Sequence, residues 1–555
     1  MLATVVLAPL LLAAAASDPT SPLLSADMGR PRLVVLISVD QLIPEQLERL
    51  EPHFHGGLGR LVRRGLVFRN ASLEFARSET GAGHASYGTG TLPRSHGVVG
   101  NSFFDRTLGR TQYCVEDDGV LGLTVKGTSE ESGRRSPRNL QRPTIGEHVQ
   151  AALPGAMSVS VSAKDRAAIG MGGRSTGPVL WWDKRGSGFQ SSTFYGETLP
   201  RFVHEWNAGW VDAARWWPWE STVPPDATAL GTAPDERPGE RPFIDQGVTF
   251  PYRLPDTDNA QQLAGLAFGT PIVDRFTAEI AVAAVRAMRL GGDGVTDVLT
   301  LSFSGCDVVG HANGPFSHEV TDLLLRLDRH LGDLFDELDE CVGPGEWIAS
   351  LSADHGVLPL PEHLAAHGID GRRLVGGEVG AFRKELRVRM KDRLGHDIRV
   401  ERGNGGLTLD RRGLETSGIA LETASAVLLA ITRDLAPTRS WIDGVYGYGE
   451  VAALRADATG VERLLRDSFH PDRVTDVVVL PAPHILVGLR NGTSHGTHHW
   501  YDRHVPLIFY GPGFEPGTRS DPVGTHDAVP TILARLGIEP MSELDGRDLL
   551  GGARR

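Results

Sequence analysis

Four apolar segments, each followed by a polar and chemically capable side chain, constrain the fold of this sequence more than any other feature. Leu33–Val39 is a continuous apolar run that leads directly to Asp40. The other three segments are 159–161, 298–303 and 347–351, which lead to Lys164, to Asp307, and to Asp354 with His355. The run Leu33–Val39 is typical of a strand buried on both faces of a mostly parallel sheet, and the other three segments are similar units.

Amphipathic helical patterns separate these strands. The clearest is a stripe of apolar residues at steps of three and four, formed by Val320, Leu324, Leu327, Leu331, Leu334 and Leu338. Alternating strands and helices predict an α/β fold, with a mostly parallel central sheet sandwiched by helices. Ligands of such sheets bind beyond the carboxyl ends of the strands, so the pattern predicts one composite site there.

The alternation is interrupted between residues 361 and 483. This stretch mixes glycine-rich turns with a basic helix candidate (382–394) and a long helical window (421–435). We expect an inserted α+β subdomain at 361–483 and a discontinuous catalytic domain formed by 30–360 and 484–555. A strand at 504–510 and a closing helix at 527–536 complete the predicted domain.

Composition excludes some functions. The net charge of −13 argues against nucleic acid as a partner, although bound cations can reverse the field inside one pocket and admit small phosphate esters.

Residues 1–16 form an apolar leader that ends in three alanines, which indicates a signal peptide and a periplasmic or secreted protein. Beyond it, no run of 18 apolar residues predicts a membrane span, and three cysteines cannot form a disulfide framework. We expect a monomer.

Residues 79–101 read ETGAGHASYGTGTLPRSHGVVGN and contain the candidate nucleophile. Thr80 precedes two glycines and a short helical window, which predicts that it lies at a helix N-terminus. Free backbone N–H groups and the helix dipole favour an anion there. Taken alone, the same pattern also fits a threonine that only caps a helix.

Six residues are candidate ligands for a metal such as zinc. Carboxylate and imidazole side chains follow the predicted strands or lie in the histidine-rich loop TSHGTHHWYDRH; they are Asp40, Asp307, His311, Asp354, His355 and His495. His498, His499 and His504 compete with His495 for that role. Each pair by itself also fits a solvated turn. Likewise, Lys164 and Arg166 fit either a phosphate-binding pair or a solvated basic pair.

The order of these motifs resembles the alkaline phosphatase superfamily, and within it the PafA-type periplasmic phosphate monoesterases. The resemblance runs from Asp40 through TGAGHAS, GVVGN and SAKDRAAI to the Asp307/His311 pair, the Asp354–His355–Gly356 segment and TSHG before YDRHVPLIFYGPG. It continues to the tail patterns DAVPTILARLGIEP and LDGRDL. One departure is Ala82, where the family usually has proline.

The resemblance implies a two-zinc alkaline phosphatase. One Zn²⁺ would be held by Asp307, His311 and His495, and the other by Asp40, Asp354, His355 and the oxygen of Thr80. Asn101, Lys164 and Arg166 would contact the phosphoryl oxygens, and a phosphothreonine would form on Thr80. Two zinc ions about 4 Å apart suit in-line displacement at phosphorus, because they stabilise the attacking and the leaving oxygen.

Two alternatives remain open. A phosphodiesterase or nucleotide pyrophosphatase of the same superfamily would share both metal sites and the threonine. The Lys164/Arg166 pair favours monoesters, since a monoester dianion has more charge to neutralise. A secreted protein that binds metal or phosphate without catalysis would keep the fold and lack turnover.

Overall fold

The computed structural model describes residues 29–551 except 131, 227–230, 233 and 404. The predicted signal peptide, residues 1–16, lies outside the described residues. Within them, no single helix has the length and apolarity to cross a bilayer, and only the sharply bent pair Arg411–Ser417 and Leu421–Thr438 meets those criteria jointly. The three cysteines form no disulfide with one another.

A mixed sheet of eleven strands organises the molecule. In spatial order its strands are Gly517–Arg519, Leu66–Phe68, Leu507–Tyr510, Trp347–Ser352, Leu33–Val39, Asp297–Phe303, Ser158–Ser162, Val179–Asp183, Gly188–Ser192, Gly122–Thr124 and Gly127–Ser129. The five strands from Trp347–Ser352 to Val179–Asp183 are mutually parallel, and antiparallel pairs flank them on either side. The predicted α/β class is confirmed, with its parallel character concentrated at the centre of the sheet.

Both faces of the central strand are buried, as the continuous apolar run predicts. Leu33, Val35, Ile37 and Val39 belong to one core, which includes the long helices Ile272–Met288 and His318–Cys341. Val34 and Leu36 belong to a second core on the opposite face, together with residues of helices Ile145–Ala152 and Ala528–Leu536. Because successive side chains of a strand alternate between faces, this single strand joins the two cores.

Among the described residues, the other helices outside the 361–483 segment are grouped around this sheet. They are Pro44–Leu50, Gly57–Arg64, Thr80–Thr89, Pro93–His96, Asp165–Gly172, Arg201–Asn207, Trp210–Ala214, Ala260–Ala267, Gly305–Asn313 and Trp500–Arg503. Trp182 packs edge-on against Trp206 and Trp210 in the larger core, so these aromatic residues serve packing.

Residues 361–483 form a second, smaller sheet with its own core. The sheet has four strands, Val400–Gly403, Gly406–Leu409, Val477–Pro481 and Ile442–Gly447. Helices Gly377–Leu394 and Leu421–Leu435 contribute Phe382, Leu386, Leu428 and Ile431 to a separate apolar cluster. Shorter elements complete the segment: helices Pro361–Ala366, Arg411–Ser417, Tyr448–Ala452 and Gly460–Ser468, and strand Arg372–Leu374, which pairs with Ile485–Val487.

Three predicted elements compare closely with the structure. The helical window 421–435 is confirmed to the residue, and the closing helix begins at Ala528 after a short 3-10 turn. The strand predicted at 504–510 begins later, at Leu507, and runs antiparallel to Trp347–Ser352. The backbone N–H of His504 donates to the carbonyl of Trp500 and closes the preceding helix. Pro506 has no N–H, so the hydrogen-bonded β-ladder cannot start before Leu507.

Candidate active site

The parallel strands place their terminal polar residues at one edge of the sheet. Asp40 directly follows Leu33–Val39, and Asp307 lies in the helix Gly305–Asn313 that follows Asp297–Phe303. Lys164 joins them, because its Nζ lies 2.6 Å from Asp40 Oδ2 and 2.5 Å from Asp307 Oδ2. Residues more than 260 positions apart therefore meet in a single pocket.

Thr80 lies at the first position of the helix Thr80–Thr89, as predicted, and its side chain is buried. Its Oγ1 is 3.4 Å from His355 Nε2 and 3.4 Å from Arg166 Nη2. The helix approaches the sheet very closely at Gly83, where a Cβ atom would lie only 2.0 Å from the carbonyl oxygen of Asp354. Glycine at this position lets the threonine reach the carboxyl end of Trp347–Ser352.

The first predicted ligand set surrounds Asp307. Its Oδ1 lies 3.1 Å from His311 Nε2 and 3.6 Å from His495 Nε2. Asp307 and His311 are one helical turn apart, so both side chains lie on one face of the helix. His495 comes from the loop before helix Trp500–Arg503, and its ring stacks on His355 with 3.4 Å between centroids.

The second predicted set consists of Asp40, Asp354 and His355. His355 Nε2 lies 3.5 Å from Asp40 Oδ1 and 3.2 Å from Asp354 Oδ2, and all three side chains are completely buried. His84 also approaches Asp354, with Nδ1 3.2 Å from Oδ2, and is a geometric competitor for a metal. However, both of its ring nitrogens have other partners, Thr80 O at 2.9 Å and Ser302 Oγ at 2.8 Å. We therefore assign to His84 the positioning of helix Thr80–Thr89.

The three predicted histidine ligands share one arrangement. Each Nδ1 lies within 3.0 Å of a backbone carbonyl: Thr493 for His311, Ser78 for His495 and Gly356 for His355. A carbonyl oxygen only accepts, so Nδ1 carries a proton in each ring, and Nε2 is the nitrogen that offers a lone pair whenever the ring is neutral. Every Nε2 faces a carboxylate of the site, which is the orientation that metal-binding histidines require.

The residues present fit divalent cations. Asp40 Oδ1 and Asp354 Oδ2 are buried and have no hydrogen-bond partner among the described residues. A buried carboxylate oxygen without a partner is costly unless a cation satisfies it. Three carboxylates and three imidazoles within one pocket are the donor set of a zinc pair, although this donor chemistry also suits other divalent metals.

Burial and neighbouring charges shift the pKa values of three of the predicted ligands. Burial and the neighbouring Asp354 raise the pKa of Asp40 well above its usual range, despite the opposing effect of Lys164. At His495, burial and the nearby His355 and His311 hold the pKa far below that of a free imidazole. At His311 burial lowers the pKa, but the charge of Asp307 raises it by more. A metal ion therefore has to displace the proton that the charged ring carries on Nε2.

The predicted phosphate-binding residues lie around Thr80. Arg166 has a buried Nε–H with no partner among the described residues, while its Nη1 donates to the Tyr113 hydroxyl at 3.3 Å. Asn101 accepts the Gly81 N–H through Oδ1 at 2.8 Å, which leaves its amide N–H₂ as a donor. Lys164 instead bridges Asp40 and Asp307 in this structure.

Four residues of the site were missed by sequence reasoning. Gln41 links both ligand sets, because its N–H donates to Asp354 Oδ1 at 3.1 Å and its Nε2 donates to Asp307 Oδ1 at 2.9 Å. The Glu79 carboxylate accepts the backbone N–H of Asn101 at 2.7 Å. Tyr113 connects Arg166 to Asp165, and His84 anchors the carbonyl of Thr80. Two of them, Gln41 and Glu79, could have been found from the sequence only because they are adjacent to Asp40 and Thr80.

The competing histidines have other partners. His498 lies 3.5 Å from Asp443, and His499 and His504 contact the backbone carbonyls of Pro481 and Arg69. Of the four histidines in this region, His495 is the one that the structure places in the site.

A cavity of about 760 Å³ opens from the site to the surface. Its lining includes four of the site residues, Lys164, Arg166, Asp307 and His311, which we call its inner end. The volume is in the range of pockets that hold small organic ligands.

Comparisons with known proteins identify the family of this chain. Residues 34–501 match the family model described as type I phosphodiesterase / nucleotide pyrophosphatase. The chain is 30% identical to alkaline phosphatase PafA from Elizabethkingia meningoseptica, over 93% of this chain and 95% of the relative. It is 31% identical to alkaline phosphatase PhoV from Synechococcus elongatus, over 94% and 92%.

The solved structure of wild-type alkaline phosphatase PafA superposes with a TM-score of 0.85 at 29% identity. The superposition covers 94% of this chain and 98% of that structure. The resemblance drawn from the motifs is thereby confirmed for nearly the whole chain. This protein belongs to the type I phosphodiesterase / nucleotide pyrophosphatase family.

Proposed function

We propose that this chain is a two-zinc alkaline phosphatase that hydrolyses phosphate monoesters through a phosphothreonine on Thr80. The observation that carries the proposal is the position of Thr80 Oγ1. It lies at a helix N-terminus, 3.4 Å from Arg166 Nη2 and 3.4 Å from the Nε2 of His355, a member of one predicted metal-binding set. The names of the relatives PafA and PhoV support the same reaction class.

The residues that would hold the cations divide into the two sets described above. Asp307, His311 and His495 would bind one Zn²⁺, and Asp40, Asp354, His355 and the Thr80 oxygen would bind the other. When bound, the two cations would supply the positive charge that favours ionised Thr80 and stabilises the leaving oxygen.

The protein's own groups would bind and orient the phosphoryl group. The free Nε–H and the Nη2 of Arg166 form a fork suited to two oxygens of one phosphate. The Asn101 amide would donate to a further oxygen, and the flexible stem of Lys164 allows its ammonium to reach the same group. The N-terminal end of helix Thr80–Thr89 adds backbone donors and a favourable dipole.

In the reaction, the Thr80 oxygen would form a bond to phosphorus as the bond from phosphorus to the alcohol oxygen breaks. Water would then cleave the phosphothreonine, releasing phosphate and restoring the Thr80 hydroxyl. The fixed donors of Arg166 and Asn101 serve both steps, because the three non-bridging oxygens carry the charge in each transition state.

We also propose that the mature protein is periplasmic or secreted and monomeric, with 361–483 as an insertion in the catalytic domain. The apolar leader supports the first part. A separate apolar cluster and a separate four-stranded sheet support the insertion.

The test is hydrolysis of 4-nitrophenyl phosphate at alkaline pH by purified protein. Zinc-loaded protein should turn over this substrate, chelation should remove the activity, and zinc should restore it. Bis(4-nitrophenyl) phosphate distinguishes the rival phosphodiesterase, which would prefer the diester. A folded, zinc-loaded protein that hydrolyses neither ester would instead be a non-catalytic binding protein.

A further inference from the structure

The cavity that opens from the site is cationic, in contrast to the whole chain, whose net charge is −13. Its described lining contains six cationic side chains and three carboxylates. The cations are Arg135, Lys164, Arg166, Lys184, Arg185 and Arg241. A sign reversal of this kind, confined to one concave surface, concentrates anions there.

The carboxylates in the lining are already engaged. Buried Asp183 accepts the backbone N–H groups of Arg185 at 3.0 Å and Ser187 at 3.2 Å. Asp165 accepts the Tyr113 hydroxyl at 2.5 Å and the Arg135 Nε at 2.9 Å. The third, Asp307, belongs to a metal-binding set. Two of these carboxylates are paired with cations of the same lining, Asp165 with Arg135 and Asp307 with Lys164, so the lining keeps six cations against three carboxylates.

The cations exceed what the transferred phosphoryl group requires. On the proposed function, Arg166 and Lys164 bind that group at the inner end of the cavity. Lys184 and Arg241 also line this cavity, and each keeps part of its surface open to solvent. The Lys184 ammonium lies 3.4 Å from the centroid of the Phe268 ring, and this contact favours its position at the wall.

Lys184 is also electrostatically close to the inner end. Desolvation, together with the charges of Lys164 and Arg166, lowers its pKa to about 8. Lys184, Lys164 and Arg166 repel one another, and an anion that lies between them reduces this repulsion.

We infer that the cavity selects phosphate monoesters whose alcohol carries a second anionic group, a carboxylate or a further phosphate, and that Lys184 is a specificity-determining residue. The inference rests on the proposed function. The phosphoryl group would occupy the inner end, and the second anion would lie along the wall with Lys184 and Arg241.

The experiment uses ω-carboxyalkyl phosphates of increasing chain length, each paired with its primary amide. The two members of a pair match in size and in leaving-group chemistry and differ in charge. For at least one length, we expect kcat/KM to be about 10-fold or more higher for the acid than for the amide at low salt. This preference should shrink as ionic strength rises.

Lys184→Gln should lose more activity on the preferred acid than on its amide, and Arg241→Gln should act in the same direction. Lys391→Gln is the matched control, because Lys391 is exposed on helix Gly377–Leu394, outside the cavity lining. It should leave the acid-to-amide ratio unchanged.

Ratios of one or less at every chain length would overturn the inference, as would equal losses on acid and amide in both variants. Absence of turnover of both acid and amide would instead count against the proposed phosphatase function. Turnover of the amides without any charge preference would remove the second-anion site and leave the phosphatase intact.

Discussion

Replacement of Arg166 by alanine tests how the site distinguishes monoesters from diesters. The guanidinium offers a buried, unpartnered Nε–H and an Nη2 that lies 3.4 Å from Thr80 Oγ1. A hydrogen bond to a charged group contributes about 1.5–3 kcal/mol, so losing two costs about 3–6 kcal/mol. At about 1.4 kcal/mol per factor of ten, kcat/KM for a monoester should fall by about 10²–10⁴.

The same substitution should affect a diester less. One of its non-bridging oxygens is replaced by an ester, so about one of the two contacts is lost, corresponding to about 10–10² in kcat/KM. The assay compares 4-nitrophenyl phosphate with bis(4-nitrophenyl) phosphate in the same zinc-loaded preparations. Arg166→Lys should be intermediate, because it keeps the charge and loses the fork.

Arg387→Ala, on an exposed arginine of helix Gly377–Leu394, is the control for a general effect of removing an arginine. Zinc content and thermal stability of Arg166→Ala should match those of the parent protein. Equal losses on the two substrates would refute the assignment of Arg166 to the monoester dianion, as would a loss that zinc depletion accounts for.

Three further predictions concern positions around the site. Gln41→Ala should weaken zinc binding by about 10–100-fold in competition with a chromogenic chelator, because Gln41 hydrogen-bonds to Asp307 and Asp354; unchanged affinity would exclude this role. Gly83→Ala should remove most activity, since its Cβ would collide with the Asp354 carbonyl, and parent-like kcat/KM would contradict the close approach. Desolvation, Lys164 and Arg166 lower the pKa of Lys184 to about 8 against the opposing effect of Asp165 and Asp307, so its side chain is protonated below that pH. The acid-to-amide preference should therefore be greatest below pH 8 and decline above it, whereas a flat ratio in the parent would exclude a contribution from this ammonium.

Most of the inner site could be predicted because local sequence and topology agree there. Apolar runs ending in Asp40, Lys164, Asp307 and Asp354 indicate strands whose carboxyl ends share one edge, and the structure brings all four together. A parallel sheet is what makes distant residues meet, so the convergence follows from the fold class. The helix at Thr80 followed from its glycines and its position before a helical window.

The rest depends on tertiary contacts that leave little trace in one sequence. Nothing near Tyr113 indicates that it pairs with Asp165 and Arg166, more than 50 positions away. His84 resembles a metal ligand until its contacts with Thr80 and Ser302 are seen. The cationic cavity is equally nonlocal, since Arg135, Lys184 and Arg241 come from three separate segments.

The central claim is that Thr80 accepts the phosphoryl group, and its most direct test is the site of phosphorylation. Zinc-loaded protein is mixed with a monoester, quenched in acid within one turnover, digested and mapped by mass spectrometry. We predict phosphate on Thr80, none in Thr80→Ala, and turnover of Thr80→Ala reduced to near background. Phosphate on another residue, or full activity of Thr80→Ala, would contradict the account.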